Sequence, residues 1–111
     1  MQKIHGNTFQ CVADETVTIT FQPSDAGILR VLYSEKAGDD FIDVGDDFKL
    51  ERTIGNEQVN IKVQYVFFPG DPGNCRIFIE GSNGGGKFED KPPAKDDRLM
   101  PEHRTYRFKP Q

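Results

Sequence analysis

Tryptophan is absent from this chain, and histidine and cysteine each occur only twice. His5 and His103 are the only side chains whose ordinary pKa lies near neutrality, and both fall in stretches that read as loop or terminus. No G-x-S-x-G or H-E-x-x-H motif occurs. Catalysis is therefore not expected. No apolar run is long enough to span a membrane. The opening residues MQKIHGNTFQCV hold no apolar stretch of signal-peptide type, which leaves the compartment open. There is no N-x-[ST] acceptor for a glycan.

Basic charge is also scarce in most of the chain. Residues 1–86 carry seven Lys/Arg against thirteen Asp/Glu, and residues 87–111 carry seven against five, for a total of −4. An acidic body offers no concentrated basic face for phosphates, so a nucleic-acid partner is not expected. Hydrophobic residues make up only 35% of the 111, while glycine and proline number 11 and 7. That balance suits one small all-β domain with many turns.

What is present is strand periodicity. From Val59 to Ile79, apolar residues fall on alternate positions: Val59, Ile61, Val63, Tyr65, Phe67, then Cys75, Ile77 and Ile79. A period of two sends one face of each strand into a core. Pro69-Gly70-Asp71-Pro72-Gly73 interrupts the pattern with residues that no ladder accommodates. The stretch predicts a β-hairpin in which Tyr65 faces Ile77 and Val63 faces Ile79. The same register sets Lys62 opposite Glu80.

Val17 to Tyr33 repeats this pattern 46 positions upstream, through Phe21, Pro23, Asp25, Gly27, Arg30 and Val31. The match arises either from shared loop chemistry or from an internal pseudo-repeat, two similar halves closing on each other. Under both accounts Ile28 to Ser34 is a strand, with Leu29, Val31 and Tyr33 inward, and not the helix that Ser24 and Gly38 would bracket. Thr8 to Val12 predicts a first strand with Phe9 and Cys11 inward, preceded by a loose end. Arg104 to Lys109 predicts a last strand with Tyr106 and Phe108 inward. Residues 82–103 read as a long Gly/Pro/charged loop or arm, with a short helix near 94–100. The expected fold is a small antiparallel β-sandwich, Ig-like or jelly-roll-like, of seven or eight strands with two similar central hairpins.

Four features invite a functional reading. Gly81 to Phe88 approaches a phosphate-binding loop, but Phe88 replaces the metal-binding hydroxyl and Lys91-Pro92-Pro93 replaces the helix, so it is set aside. Cys11 and Cys75 both fall on inward positions, either as an inter-sheet disulfide or as two buried thiols. A bridge of that span resembles the one in immunoglobulin domains. The chain lacks the tryptophan that packs on it there, and Gly73 stands where those domains place a tyrosine, so no family follows.

Asp39, Asp40, Asp43, Asp46 and Asp47 crowd a short span as turn residues on a solvated edge or as a weak Ca²⁺ site, though without EF-hand spacing. Finally, Val66, Phe68 and Phe78 point outward beside Arg76. This face is either covered by Phe88, Leu99 or Met100 or is a contact surface. The expected function is a non-catalytic binding or accessory module for protein–protein interaction or assembly, with a carbohydrate-binding module, calcium-assisted if the acidic span binds, as the alternative. Tyr33, Tyr65 and Tyr106 read inward, which counts against the glycan alternative.

Overall fold

The computed structural model describes residues 1–23, 28–35, 40–67, 75–91 and 102–111, with 23, 28, 29, 66, 67 and 102 described by backbone alone. Ten strands form within them. These are β1 (Gln2–His5), β2 (Thr8–Cys11), β3 (Thr16–Pro23), β4 (Ile28–Ser34), β5 (Ile42–Asp43), β6 (Lys49–Thr53), β7 (Val59–Phe67), β8 (Cys75–Gly81), β9 (Lys87–Asp90) and β10 (Glu102–Pro110). Sheet A has the order β1-β2-β10-β7-β4-β5 and sheet B the order β6-β3-β8-β9. The expected small β-sandwich is the observed architecture, with ten strands in place of seven or eight. β4 is a strand, as the comparison of the two repeats required.

The inward positions were legible. Val59, Ile61, Val63, Tyr65, Cys75, Ile77 and Ile79 are all buried, as are Val17, Ile19, Phe21 and Val31 from the upstream copy. Phe9, Cys11, Tyr106 and Phe108, with Leu50 and Ile54, extend the interior. Each fully buried aliphatic or aromatic side chain contributes about 1.5–3 kcal/mol, so this set is the principal source of stability. Phe21 meets Tyr65 across the gap between sheets with ring centroids 6.3 Å apart. At the other flank Phe9 stacks on Phe108 at 5.5 Å and meets Phe88 at 5.4 Å.

The pairing differs from the expected hairpins. β7 and β8 are not neighbours. β7 lies in sheet A between β10 and β4, and β8 lies in sheet B between β3 and β9. Tyr65 pairs with Val31 and Ile77 with Phe21, while Lys62 and Glu80 lie on different sheets. Likewise β3 and β4 belong to opposite sheets. Each repeat is therefore an arch that crosses the sandwich, and the two arches pair with each other, β3 on β8 and β4 on β7, both antiparallel. The reason is physical. Inward residues on alternate positions meet equally well side by side or across a gap of about 10 Å, so the pattern names the face and not the neighbour.

Arching also excludes the disulfide. Cys11 pairs with Pro110, near the Val59 end of sheet A, whereas Cys75 pairs with Pro23, at the end where the arches cross. Both are free, buried cysteines. Burial, reinforced by the Glu15 charge, pushes the Cys11 thiol up to about 11. Burial pushes the Cys75 thiol up to about 12.

Two polar closures were not foreseen. Met1 is no loose end: its side chain is buried, and its α-ammonium lies 2.8 Å from Glu15 Oε2, with both groups fully enclosed. Glu15 also accepts the Val12 N–H at 3.1 Å and the Asn83 N–H at 3.1 Å. Burial alone would raise the Glu15 pKa. The hydrogen bonds and the ammonium outweigh it, so the carboxyl titrates below its ordinary range. The glycine-rich segment 81–86, most of which falls in the stretch expected as a loop or arm, packs against this pair. A Cβ on Gly81 would overlap Glu15, and one on Gly85, at φ +89°, would overlap the Met1 carbonyl.

The second closure joins the sheets. Lys87–Asp90, expected as loop, forms β9 on the edge of sheet B. Its Asp90 accepts Arg104 Nε at 3.0 Å, Arg104 Nη2 at 2.8 Å and the Tyr106 hydroxyl at 2.7 Å, all from β10 of sheet A. Burial, then the bond to Asp90, drives the Tyr106 phenol far above its usual value, which keeps it protonated as a donor. The segment suggested as a short helix lies outside the described residues.

Two outcomes follow. At pH 8 neither cysteine should react with a thiol reagent in the native protein, and both should react after denaturation without reductant; no reactive thiols in denaturant would indicate a bridge. Glu15→Gln should cost about 3 kcal/mol at pH 7, since it leaves a buried cation uncompensated. A depressed carboxyl stabilises above its unfolded pKa and ceases to as pH falls through its folded pKa. The gap between wild type and E15Q in chemical denaturation should therefore narrow below about pH 4.

Candidate functional site

The β7–β8 hairpin that was to bring Val66, Phe68 and Phe78 onto one outward face does not form, because β7 and β8 lie in different sheets. Phe68 and the Val66 side chain lie outside the described residues. Phe88 does not cover such a face; it turns inward onto Phe9. Arg76 and Phe78 do come together on the outer side of sheet B. The Arg76 guanidinium sits 5.0 Å from the Phe78 ring centroid, and Lys87 Nζ lies 5.2 Å from it. Arg76 is also ion-paired to Glu89, and their hydrogen bond raises the guanidinium pKa and lowers that of the carboxyl. The ring is thus shielded by neighbouring cations on a flat, solvated face.

The described aspartates do not converge either. Asp43 Oδ1 accepts the Gly45 N–H at 2.8 Å, and its Oδ2 lies 3.6 Å from Arg30 Nε. Asp40, Asp46 and Asp47 are exposed, and Asp39 lies outside the described residues. Among the described residues, no group of three His, Cys, Asp or Glu side chains is placed to hold a metal ion. The Ca²⁺ expectation therefore finds no ligand set among them; Asp43 instead caps the turn at Gly45, and Asp46 and Asp47 form the turn that follows.

A concave site lies elsewhere, along the β5–β6 flank. Sheet A has six strands and sheet B four, so a margin of the inner face of sheet A is left uncovered. Tyr33 shares its side of β4 with buried Val31, yet is only half-buried. Ile42 pairs with Tyr33 across the β4–β5 ladder and is 58% exposed. Tyr33, Phe41 and Ile42, with Glu35 and Asp40, line a recess of about 280 Å³. Lys62 Nζ stands 5.8 Å from the Phe41 ring centroid.

Glu35 belongs equally to a second, larger cleft of about 760 Å³, whose wall includes Arg52, Asn56, Glu57, Gln58 and Asn60. Arg52 is on the inward side of β6, the side of buried Leu50, where β6 ends the sheet. Its Nε reaches across to sheet A and contacts both Glu35 oxygens, at 2.9 and 3.0 Å. A second guanidinium nitrogen bonds the Thr53 carbonyl. Gln58 Nε2 donates to Asn60 Oδ1 at 2.9 Å. The two recesses share Glu35, and taken together on either side of the Glu35–Arg52 pair they make up the candidate groove. It offers half-covered aromatics at one end and planar amides at the other.

Of these residues the sequence marked only Tyr33, as an inward position, and Asp40, among the clustered aspartates; neither the ion pair nor the amides stood out. One signal was available: Arg52 breaks an otherwise apolar inward side of β6, where an arginine needs a carboxylate partner. Asn56, Gln58 and Asn60 also recur at intervals of two, which a strand entry would align.

With this geometry established, comparisons of the chain with protein-family models, with curated proteins and with solved structures find no match. No helix among the described residues is long and apolar enough to cross a membrane.

Arg52 is 39% and Glu35 32% exposed. Exposure on that scale limits what an ion pair contributes, so Glu35→Gln should change stability by no more than about 1 kcal/mol in a denaturation curve. A much larger loss would mean the pair is a structural strut.

Proposed function

We propose that the protein is a non-catalytic recognition module whose binding site is the groove from Tyr33 and Phe41, past Glu35–Arg52, to Asn60. The observation that supports this is the composition of a concave surface at the rim of a rigid sandwich. A few oriented polar groups stand beside partly exposed aromatics, which is how small-ligand and peptide sites are commonly built. The groove's polar groups are held by strands or by each other before any ligand arrives. Glu35 is engaged by Arg52, the arrangement of a binding group and not of a proton donor awaiting substrate.

Assembly through a strand edge is the second reading. Ile4 and Ile42, 49% and 58% exposed, lie on the two edge strands of sheet A. The edges themselves weigh against it. β5 is two residues long and carries Asp43, while β1 carries Lys3 and shifts register between Lys3 and His5. Short strands, charges and irregular register are how sheets avoid joining one another.

The test needs no known ligand. In an NMR screen of a small-fragment library, amide shifts should cluster at Glu35, Arg52, Asn56, Gln58 and Asn60. Clustering on the Arg76/Phe78 face, or a concentration-dependent dimer in native mass measurements with no hits in the groove, would overturn the assignment.

A further inference from the structure

We infer that this groove takes a neutral oligosaccharide, a step that rests on the groove being the recognition site. The inference begins with hydrogen-bond chemistry. A sugar hydroxyl donates one hydrogen bond and accepts others. Asn56, Gln58 and Asn60 each present a donor and an acceptor within one planar group, and so match adjacent hydroxyls in either sense. Glu35 keeps acceptor lone pairs beyond those turned to Arg52, and Arg52 keeps donors beyond those turned to Glu35 and Thr53. Charge then selects against other ligands. Among the described charged residues that line the two recesses, Glu35, Glu57 and Asp40 outnumber Arg52, which is already paired. A phosphate, sulfate or uronate chain would meet net repulsion, and a nucleic acid more so.

The aromatic end supplies the other half of sugar recognition. The C–H face of a pyranose is apolar, and Tyr33, Phe41 and Ile42 offer an apolar, partly exposed surface beside the polar cleft. The dimensions agree: the larger cleft, at about 760 Å³, has the capacity of a small-ligand site, and the adjoining recess extends it past Glu35. Preorganisation also favours binding. The Gln58–Asn60 bond and the doubly contacted Glu35–Arg52 pair hold these side chains in place, so less rotamer freedom is lost when a ligand arrives.

The experiment is a titration of the whole chain, by calorimetry and amide chemical shifts, with neutral oligosaccharides of two to six units. Gluco-, manno-, xylo- and chito-series would be used, with oligogalacturonate and heparin fragments as anionic probes. At least one neutral series should bind, with shifts centred on Arg52, Gln58 and Asn60. Asn60→Ala and Gln58→Ala, at exposed positions, should each weaken binding about tenfold while the fold is retained by circular dichroism. Phe78→Ala should leave affinity unchanged. Binding of only the anionic probes, or of no oligosaccharide, overturns the ligand class. If fragments still cluster in the groove in that case, the recognition site stands and only the ligand is wrong. Saccharide shifts centred outside the groove overturn both. Release of new reducing ends from a bound oligosaccharide supports the ligand class and removes the non-catalytic reading.

Discussion

The molecule depends on a dry gap between two sheets that four strands fill from both sides. β3 and β8 face it from sheet B, and β4 and β7 from sheet A. Ile19, Phe21, Ile77 and Ile79 look across at Val31, Ile61, Val63 and Tyr65, all buried. Removing these side chains from water drives the sheets together. Polar groups then close the margins of the gap. Asp90, Arg104 and Tyr106 join the sheets on one flank, Glu35 and Arg52 on the other, and Glu15 holds the Met1 ammonium near Gly81 at the end of β8. These pairs contribute less to net stability than the apolar gap. A buried ion pair must first offset its own desolvation. Their larger consequence is that each carboxylate has a specific partner on another element, so an altered docking of the sheets would strand a charge.

What the sequence could reveal follows from this division. Alternation reports which face of a strand meets the core, and every inward assignment from Val59 to Ile79 that falls on described side chains is buried. Alternation does not report which strand lies alongside. Tyr65 and Ile77 are both inward whether β7 and β8 are neighbours or lie across the gap, and the Lys62–Glu80 match was too weak to decide. The similarity between residues 17–33 and 63–79 held more information than the hairpin geometry did. Those segments are laid against each other, so the second arch completes the sheets that the first one begins. β9 escaped notice because four residues, two of them acidic, carry almost no period. The anchored Met1 escaped notice because its partner, Glu15, looks like an ordinary turn residue until the Gly81–Gly86 run closes over it.

The candidate groove was hidden for a related reason. Its side chains come from the end of β4, the residues before β5, the last turn of β6 and the entry to β7, and they meet only after the chain has crossed the sandwich more than once. Each looks unremarkable alone. The Arg76 and Phe78 cluster, by contrast, was visible because both residues sit on one strand two positions apart. Proximity in sequence made it legible, and the same proximity lets the residues satisfy one another.

The mismatch in strand number explains why a concavity forms at this flank at all. Six strands cannot be covered by four, and the excess must surface somewhere. On the β1 side the residue paired with inward Phe9 is Lys3, a side chain that can face water. On the β5 side the residue paired with Tyr33 is Ile42, which cannot do so without cost and is nonetheless exposed. A polar residue at 42 would have been the simpler solution for an inert edge. An exposed isoleucine beside half-buried aromatics, ending at a braced Glu35–Arg52 pair, is the combination expected where a ligand supplies the missing cover.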